Sequence, residues 1–130
     1  MNPLRREIGN MLMFTKVDGG FGAELLVDPN LSVLPDHFPD QAILPGICLV
    51  QAVLLAGAHH QNVQELRIRT LKNLKFMQPV LPGQRVTIDA KMSAVGDGDF
   101  AIKAKLSVDE QRCAEISLIA RPAVAEEGAQ

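Results

Sequence analysis

Between Gly46 and Ala58 the chain runs Gly-Ile-Cys-Leu-Val-Gln-Ala-Val-Leu-Leu-Ala-Gly-Ala, and Gln51 is its one strongly polar side chain. A helix with this composition has no polar face to offer water and must be buried around its whole circumference. It is too short to cross a bilayer, and Gln51 sits in its middle. Pro45 stands where a proline is tolerated at a helix start, and Gly57 with His59 and His60 suits the far end. Such a helix needs a second layer that wraps it.

The rest of the chain supplies strands. Met11 to Val17 and Phe21 to Val27 read as two short strands around an Asp18-Gly19-Gly20 turn, with Phe21, Ala23, Leu25 and Val27 on one face. Asp28-Pro29-Asn30 then breaks the strand. Beyond the helix the apolar period is two. Leu66, Ile68, Thr70, Leu74 and Phe76 share a parity, and Lys72, the exception, marks a bulge or an edge. Val86 to Ala94, Phe100 to Val108 and Ala114 to Ala120 alternate apolar with polar or charged residues. Turns at Pro82-Gly83, Gly96-Asp97-Gly98 and Asp109-Glu110 predict antiparallel neighbours.

One apolar sheet face and one wholly apolar helix predict an α+β domain. In it, a curved antiparallel sheet of five or six strands wraps one long buried helix. We expect this single domain over residues 1–122, with 123–130 a fraying tail. One helix covers only part of such a sheet, and open sheet edges need covering. A dimer joined edge to edge meets both needs.

Composition narrows the function. A formal net charge of -2, with Lys and Arg spread along the chain, gives no footprint for nucleic acid or anionic membrane. Arg5, Arg6 and Glu7 interrupt any apolar leader, so a cytoplasmic protein is expected. Cys48 and Cys113 lie in apolar stretches and read as small buried hydrophobes rather than a disulfide or metal pair. His59 and His60 are adjacent, so on a helix they diverge by roughly 100° and form no bidentate face. No metal and no cofactor are expected.

The segment His37-Phe38-Pro39-Asp40-Gln41-Ala42-Ile43-Leu44-Pro45-Gly46 resembles the HFPxxPxxPG signature of the FabZ/FabA-type (3R)-hydroxyacyl-carrier-protein dehydratases, with Ala42 at the signature's second proline. Lys75-Phe76-Met77-Gln78-Pro79-Val80-Leu81-Pro82-Gly83 is similar to that family's KF-x-x-PV-x-PG strand and turn. The resemblance implies the hot-dog fold, which is the arrangement that the periodicity reaches by itself. It also implies water elimination from an acyl thioester carried on acyl carrier protein or coenzyme A. His37 and the position of Gln51 then become catalytic, and Phe38, Pro39, Pro45, Gly46 and Ile47 contact substrate.

The residue types suit that chemistry. Dehydrating a 3-hydroxyacyl thioester needs a base for the C2 proton, an acid for the departing hydroxyl and stabilisation of an enolate oxygen. A histidine exchanges protons near neutrality. Pro45-Gly46 brings a helix N-terminus, with its free N–H groups and dipole, to the thioester carbonyl.

Gln51 departs from the family. Fourteen positions past His37 the dehydratases carry Glu or Asp on the helix, where it reaches the histidine of the other subunit. No Asp or Glu occurs between Asp40 and Glu65 to substitute for it. A glutamine orients a hydroxyl or a water but donates no acidic proton, and a buried amide without a partner costs about 1–3 kcal/mol. Three readings stay open. His37 handles both proton transfers while Gln51 positions; or the chain is a hot-dog thioesterase; or it is a non-catalytic acyl-binding subunit beside an active hot-dog partner. The functional unit is a homodimer, a higher oligomer or a heteromer. Leu49, Val53 and Leu54 line an acyl tunnel or are plain core. Lys72, Lys75 and Arg85 face an acidic carrier protein or only water.

Overall fold

The computed structural model describes residues 3–30 and 44–123. Helix α1 (Pro3–Met11) and strands β1 (Leu12–Thr15) and β2 (Gly20–Leu26) come first. Helix α2 (Gly46–Gln61) then precedes β3 (Leu66–Phe76), β4 (Arg85–Gly96), β5 (Asp99–Val108) and β6 (Gln111–Pro122). The six strands form one antiparallel sheet in the order β1-β2-β4-β5-β6-β3. The α+β arrangement of one sheet against a buried helix is the expected one.

Period-two alternation builds the core. Phe21, Ala23, Leu25 and Val27 are buried, as are Val86, Ile88 and Ala90, then Ile102, Ala104 and Leu106, then Ala114, Ile116, Leu118 and Ala120. Register puts these residues side by side: Ile88 faces Leu106, Ala104 faces Ile116, and Ile102 faces Leu118. Truncating a wholly buried leucine such as Leu106 to alanine costs about 2–5 kcal/mol in cores of this kind. Cys48 and Cys113 are free, buried thiols within the same core.

The sheet meets α2 most closely at Gly57. A β-carbon there would lie 3.1 Å from Leu66 Cδ1 and 3.4 Å from both Ile102 Cδ1 and Phe21 Cζ. Gly57 is therefore a packing position inside the helix, not its end. The helix continues to Gln61 and closes on Asn62, whose left-handed backbone lets its N–H reach the last carbonyls. His59 lies flat on Phe14, with ring centroids 3.8 Å apart, and His60 tilts against Phe21 at 5.7 Å. The two histidines pack the helix end onto the β1–β2 hairpin.

Two further expectations change. Met11 to Val17 is not all strand: α1 ends at Met11, and β1 spans only Leu12–Thr15. Helix α1 buries Ile8 completely and packs Met11 on the core, which a strand in that position would not do. Nor does the Pro82-Gly83 turn make β3 and β4 neighbours. The segment that links them crosses the molecule, because its own hydrogen bonds lead elsewhere. Met77 N–H donates to the Cys113 carbonyl on β6 at 2.8 Å, whereas Gly83 N–H donates to the Val27 carbonyl beyond β2 at 2.8 Å.

Lys72 marks both a bulge and an edge. β3 is the last strand of the sheet, and its register against β6 slips between Ile68 and Thr70 and again between Leu71 and Asn73. The two extra residues, Arg69 and Lys72, bend the strand. After Leu66 every residue of β3 is exposed, including Ile68, Leu71, Leu74 and Phe76. No described helix is long and apolar enough to cross a membrane.

Candidate active site

The expected site residues divide into two groups. His37, Phe38 and Pro39 lie outside the described residues, as does the tail from 124 onward. Pro45, Gly46, Ile47 and Gln51 are described, and all four belong to the start of α2.

Pro45 is the N-cap, with φ -61° and ψ 144°, and no side chain caps the helix there. Its fixed φ aims the chain into the first turn. Leu44 N–H, just before it, donates to the Val80 carbonyl at 2.7 Å. Val80 is itself buried in the segment between β3 and β4, where the Leu81 N–H donates to Gln84 Oε1 at 2.8 Å. The described end of the first motif, Leu44 to Gly46, is thus tied to the second motif at the helix start.

Phe76 meets the helix start from the end of β3. A β-carbon at Gly46 would stand 2.7 Å from Phe76 Cζ and 2.9 Å from both Cε atoms, so a larger residue there must push the half-exposed ring aside. Ile47, on the first turn, is 61% exposed, and Phe76 and Met77 are about half-exposed beside it. Of the first-turn amides of α2, that of Cys48 donates to the Pro45 carbonyl at 2.9 Å, while Gly46 begins the helix against the Phe76 ring with the helix dipole behind it.

Gln51 lies one turn further on and is half-buried. Ile47, Gln51 and Leu55 form the one stripe of the first three turns of α2 that the chain's own sheet does not fully bury. The expectation of burial around the whole circumference holds for the other faces: Leu49, Val53 and Leu54 are all core. Among the described residues no hydrogen bond joins the Gln51 amide to a partner.

Gln51 opens instead into a pocket of about 750 Å³ shared with Arg5, Leu54, Glu65, Arg67 and Ile68. Arg5 comes from α1, and its side chain is only 12% exposed. Arg5 Nη1 lies 3.0 Å from Glu65 Oε2, and its other terminal nitrogen donates to the Gln64 carbonyl at 3.3 Å. Arg67 Nε approaches the same Glu65 oxygen at 3.6 Å. Sequence spacing gives no sign that Arg5 and Glu65 line one pocket with Gln51, because only the helix α1 brings Arg5 there.

Lys72, Lys75 and Arg85 do not form one patch. The first two are on β3, whereas Arg85 is on β4, with β5 and β6 between, and faces Glu24 Oε1 at 3.5 Å. Among the described residues no group of His, Cys, Asp and Glu is placed to hold a metal ion.

Comparison with known proteins bears on the family and the fold. The sequence profile of a family described as ApeI-like, the ApeI dehydratases, matches residues 16–116. The chain is 28% identical over 90 residues to the 3-hydroxyacyl-[acyl-carrier-protein] dehydratase FabZ of Wolbachia sp. subsp. Drosophila simulans (strain wRi). That match spans 65% of this chain and 63% of the relative. Among solved structures, the fold is similar to the dehydratase heterocomplex ApeI:P from Xenorhabdus doucetiae, with a TM-score of 0.66 and 17% identity over 84% of this chain and 94% of that one. It is also similar to a hexameric thioesterase from Yersinia pestis, with a TM-score of 0.65 and 18% identity over 88% of this chain and 94% of that one. At such identities these structures establish the hot-dog fold and nothing finer.

Proposed function

Because the chain belongs to the ApeI-like dehydratase family, we propose that it eliminates water from a (3R)-3-hydroxyacyl thioester borne on acyl carrier protein. The observation that carries this reading is the start of α2: Gly46, set against Phe76 and tied through Leu44 to Val80, begins the helix next to the exposed apolar side chain of Ile47. In this reading the thioester carbonyl sits against the backbone amides of that helix start, with Phe38, Pro39, Pro45 and Ile47 around the acyl group.

His37 takes the C2 proton, and the electron pair moves toward the carbonyl, whose oxygen the helix amides stabilise. The C3–O bond then breaks. The imidazolium returns its proton to the departing hydroxyl, so water and a trans-2-enoyl thioester leave and His37 is neutral again. Gln51 orients the hydroxyl without supplying a proton.

The working unit in this proposal is a dimer. β3 is an open edge with Ile68, Leu71 and Leu74 at its surface, and the Gln51 stripe adjoins it. A second copy pairing along β3 would cover both. Gln51 at the position of the acid favours one further reading, in which the second subunit is a different hot-dog chain that carries the acid.

The test is an assay of 3-hydroxyacyl- and enoyl-carrier-protein substrates with wild type, His37→Ala and Gln51→Glu, with thioester hydrolysis followed in parallel. Wild type interconverts the two substrates, and His37→Ala loses about 10²–10⁴-fold. Hydrolysis without elimination would overturn the dehydratase reading. A wild type that is inactive until Gln51 is made Glu would assign the chain the role of partner subunit.

A further inference from the structure

The helix lacks a carboxylate, but the pocket around Gln51 does not. Glu65 is the one acidic residue among those lining it, and it arrives from the turn before β3 rather than from α2. Its main chain is pinned, because the Ala123 N–H donates to the Glu65 carbonyl at 3.0 Å. Its side chain is pinned as well. Arg5 at 3.0 Å and Arg67 at 3.6 Å both engage Oε2. Among the described residues no donor is paired with the other oxygen, Oε1, and the carboxylate remains about one-third exposed, at 32%.

A carboxylate accepts hydrogen bonds without donating one. The clamp of two guanidinium groups fixes its orientation. Gln51 beside it contributes an amide that can donate and accept. Together they make a binding place for a hydroxyl: one fixed anionic acceptor and one neutral amide.

We propose that Glu65 is a further catalytic residue of this site, accepting through Oε1 the hydrogen bond of the substrate's 3-hydroxyl. The assignment rests on the dehydratase reading above. As the leaving oxygen gains its second proton from His37, its O–H becomes a stronger donor, so the bond to Glu65 tightens toward the transition state. No proton passes to Glu65, and the balance of the reaction is unchanged. Arg5 is then a positioning residue that acts through the carboxylate, which gives α1 a place in the active site.

The test separates hydroxyl recognition from turnover. Affinities for the N-acetylcysteamine thioesters of 3-hydroxybutyrate and butyrate are compared by NMR titration in wild type, Glu65→Gln, Arg67→Gln and His37→Ala. Wild type prefers the hydroxylated ligand by roughly tenfold, the range of a hydrogen bond to a charged group. Glu65→Gln erases that preference, while Arg67→Gln, which keeps the Arg5 clamp, retains it, as does His37→Ala. In turnover, Glu65→Gln lowers kcat about 10- to 100-fold, and the double variant Glu65→Gln/Gln51→Glu recovers activity by returning an acid to the helix. An unchanged ligand preference in a folded Glu65→Gln protein overturns the proposal. If elimination is absent from wild type while the preference stands, the dehydratase reading fails and the hydroxyl site survives.

Discussion

The ring of Phe76 stands within 3 Å of where a β-carbon on Gly46 would be, so that the last residue of the edge strand occupies the space a side chain on the helix's first residue would need. This half-exposed ring must swing aside for any larger first residue. It also couples the position of β3 to the amides that the proposed reaction uses.

Gly46→Ala is expected to lower the melting temperature modestly, because the new methyl group must displace the half-exposed Phe76 ring. Adding Phe76→Leu should restore most of the melting temperature, because the flat ring is what the new β-carbon meets. Activity should not return with stability, since the methyl group still stands at the amides. Thermal melts and steady-state rates on the single and double variants check both statements.

Leu71, half-exposed on the edge strand, is expected to be covered by a second chain. Leu71→Lys should convert the assembly to monomers by sedimentation velocity and leave the far-ultraviolet circular dichroism unchanged. A dimer that persists at micromolar concentration would place the interface elsewhere.

Asp99 is almost wholly buried at the β4–β5 turn, where Arg121 Nε donates to Oδ1 at 2.8 Å and Arg69 Nη1 to Oδ2 at 2.9 Å. The Arg121 hydrogen bond, opposed by burial and aided by the charges of both arginines, holds the carboxyl below its ordinary value. A carboxyl depressed by folding stabilises above its unfolded pKa and loses that contribution as pH falls through the folded value. Asp99→Asn should therefore melt below wild type at neutral pH, with the gap closing as acid is added. A gap independent of pH would show that the ion pairs contribute nothing.

Burial, with a smaller push from the Glu7 carboxylate, raises the Cys48 thiol to about 11. The thiolate is the reactive form, so native protein at pH 8 should leave Cys48 unmodified by iodoacetamide while denaturant exposes it. The sign is opposite to that of Asp99. Stability from the neutral thiol is complete below the unfolded value near 9 and declines as pH rises toward about 11. Mass spectrometry of peptides from native and unfolded samples provides the check.

The core was legible because burial imposes period two on any strand with one wet face. Val86 to Ala90, Ile102 to Leu106 and Ala114 to Ala120 carry that pattern without interruption. The helix was legible for the opposite reason, its near-absence of polar groups. Strand order was not. Whether β3 lies beside β4 depends on where Met77 and Gly83 find hydrogen-bond partners, and sequence distance does not encode that choice. Helix α1 escaped notice because, among its described side chains, Ile8 alone is wholly buried in the core. Gln51 was identified as an anomaly by position, but the Arg5–Glu65 pair beside it joins residues sixty positions apart that only the fold brings together.

The edge formed by β3 also bears on how this chain fares during biosynthesis. An eleven-residue strand with an open side and exposed leucines is a template for indiscriminate pairing before it finds its mate. Newly made chains should thus depend on prompt assembly or on chaperones to stay out of inclusion bodies. Yield in a foreign host then becomes a readout of partnership: a chain that self-pairs accumulates when expressed alone, and one that needs a different mate accumulates only when the two are made together.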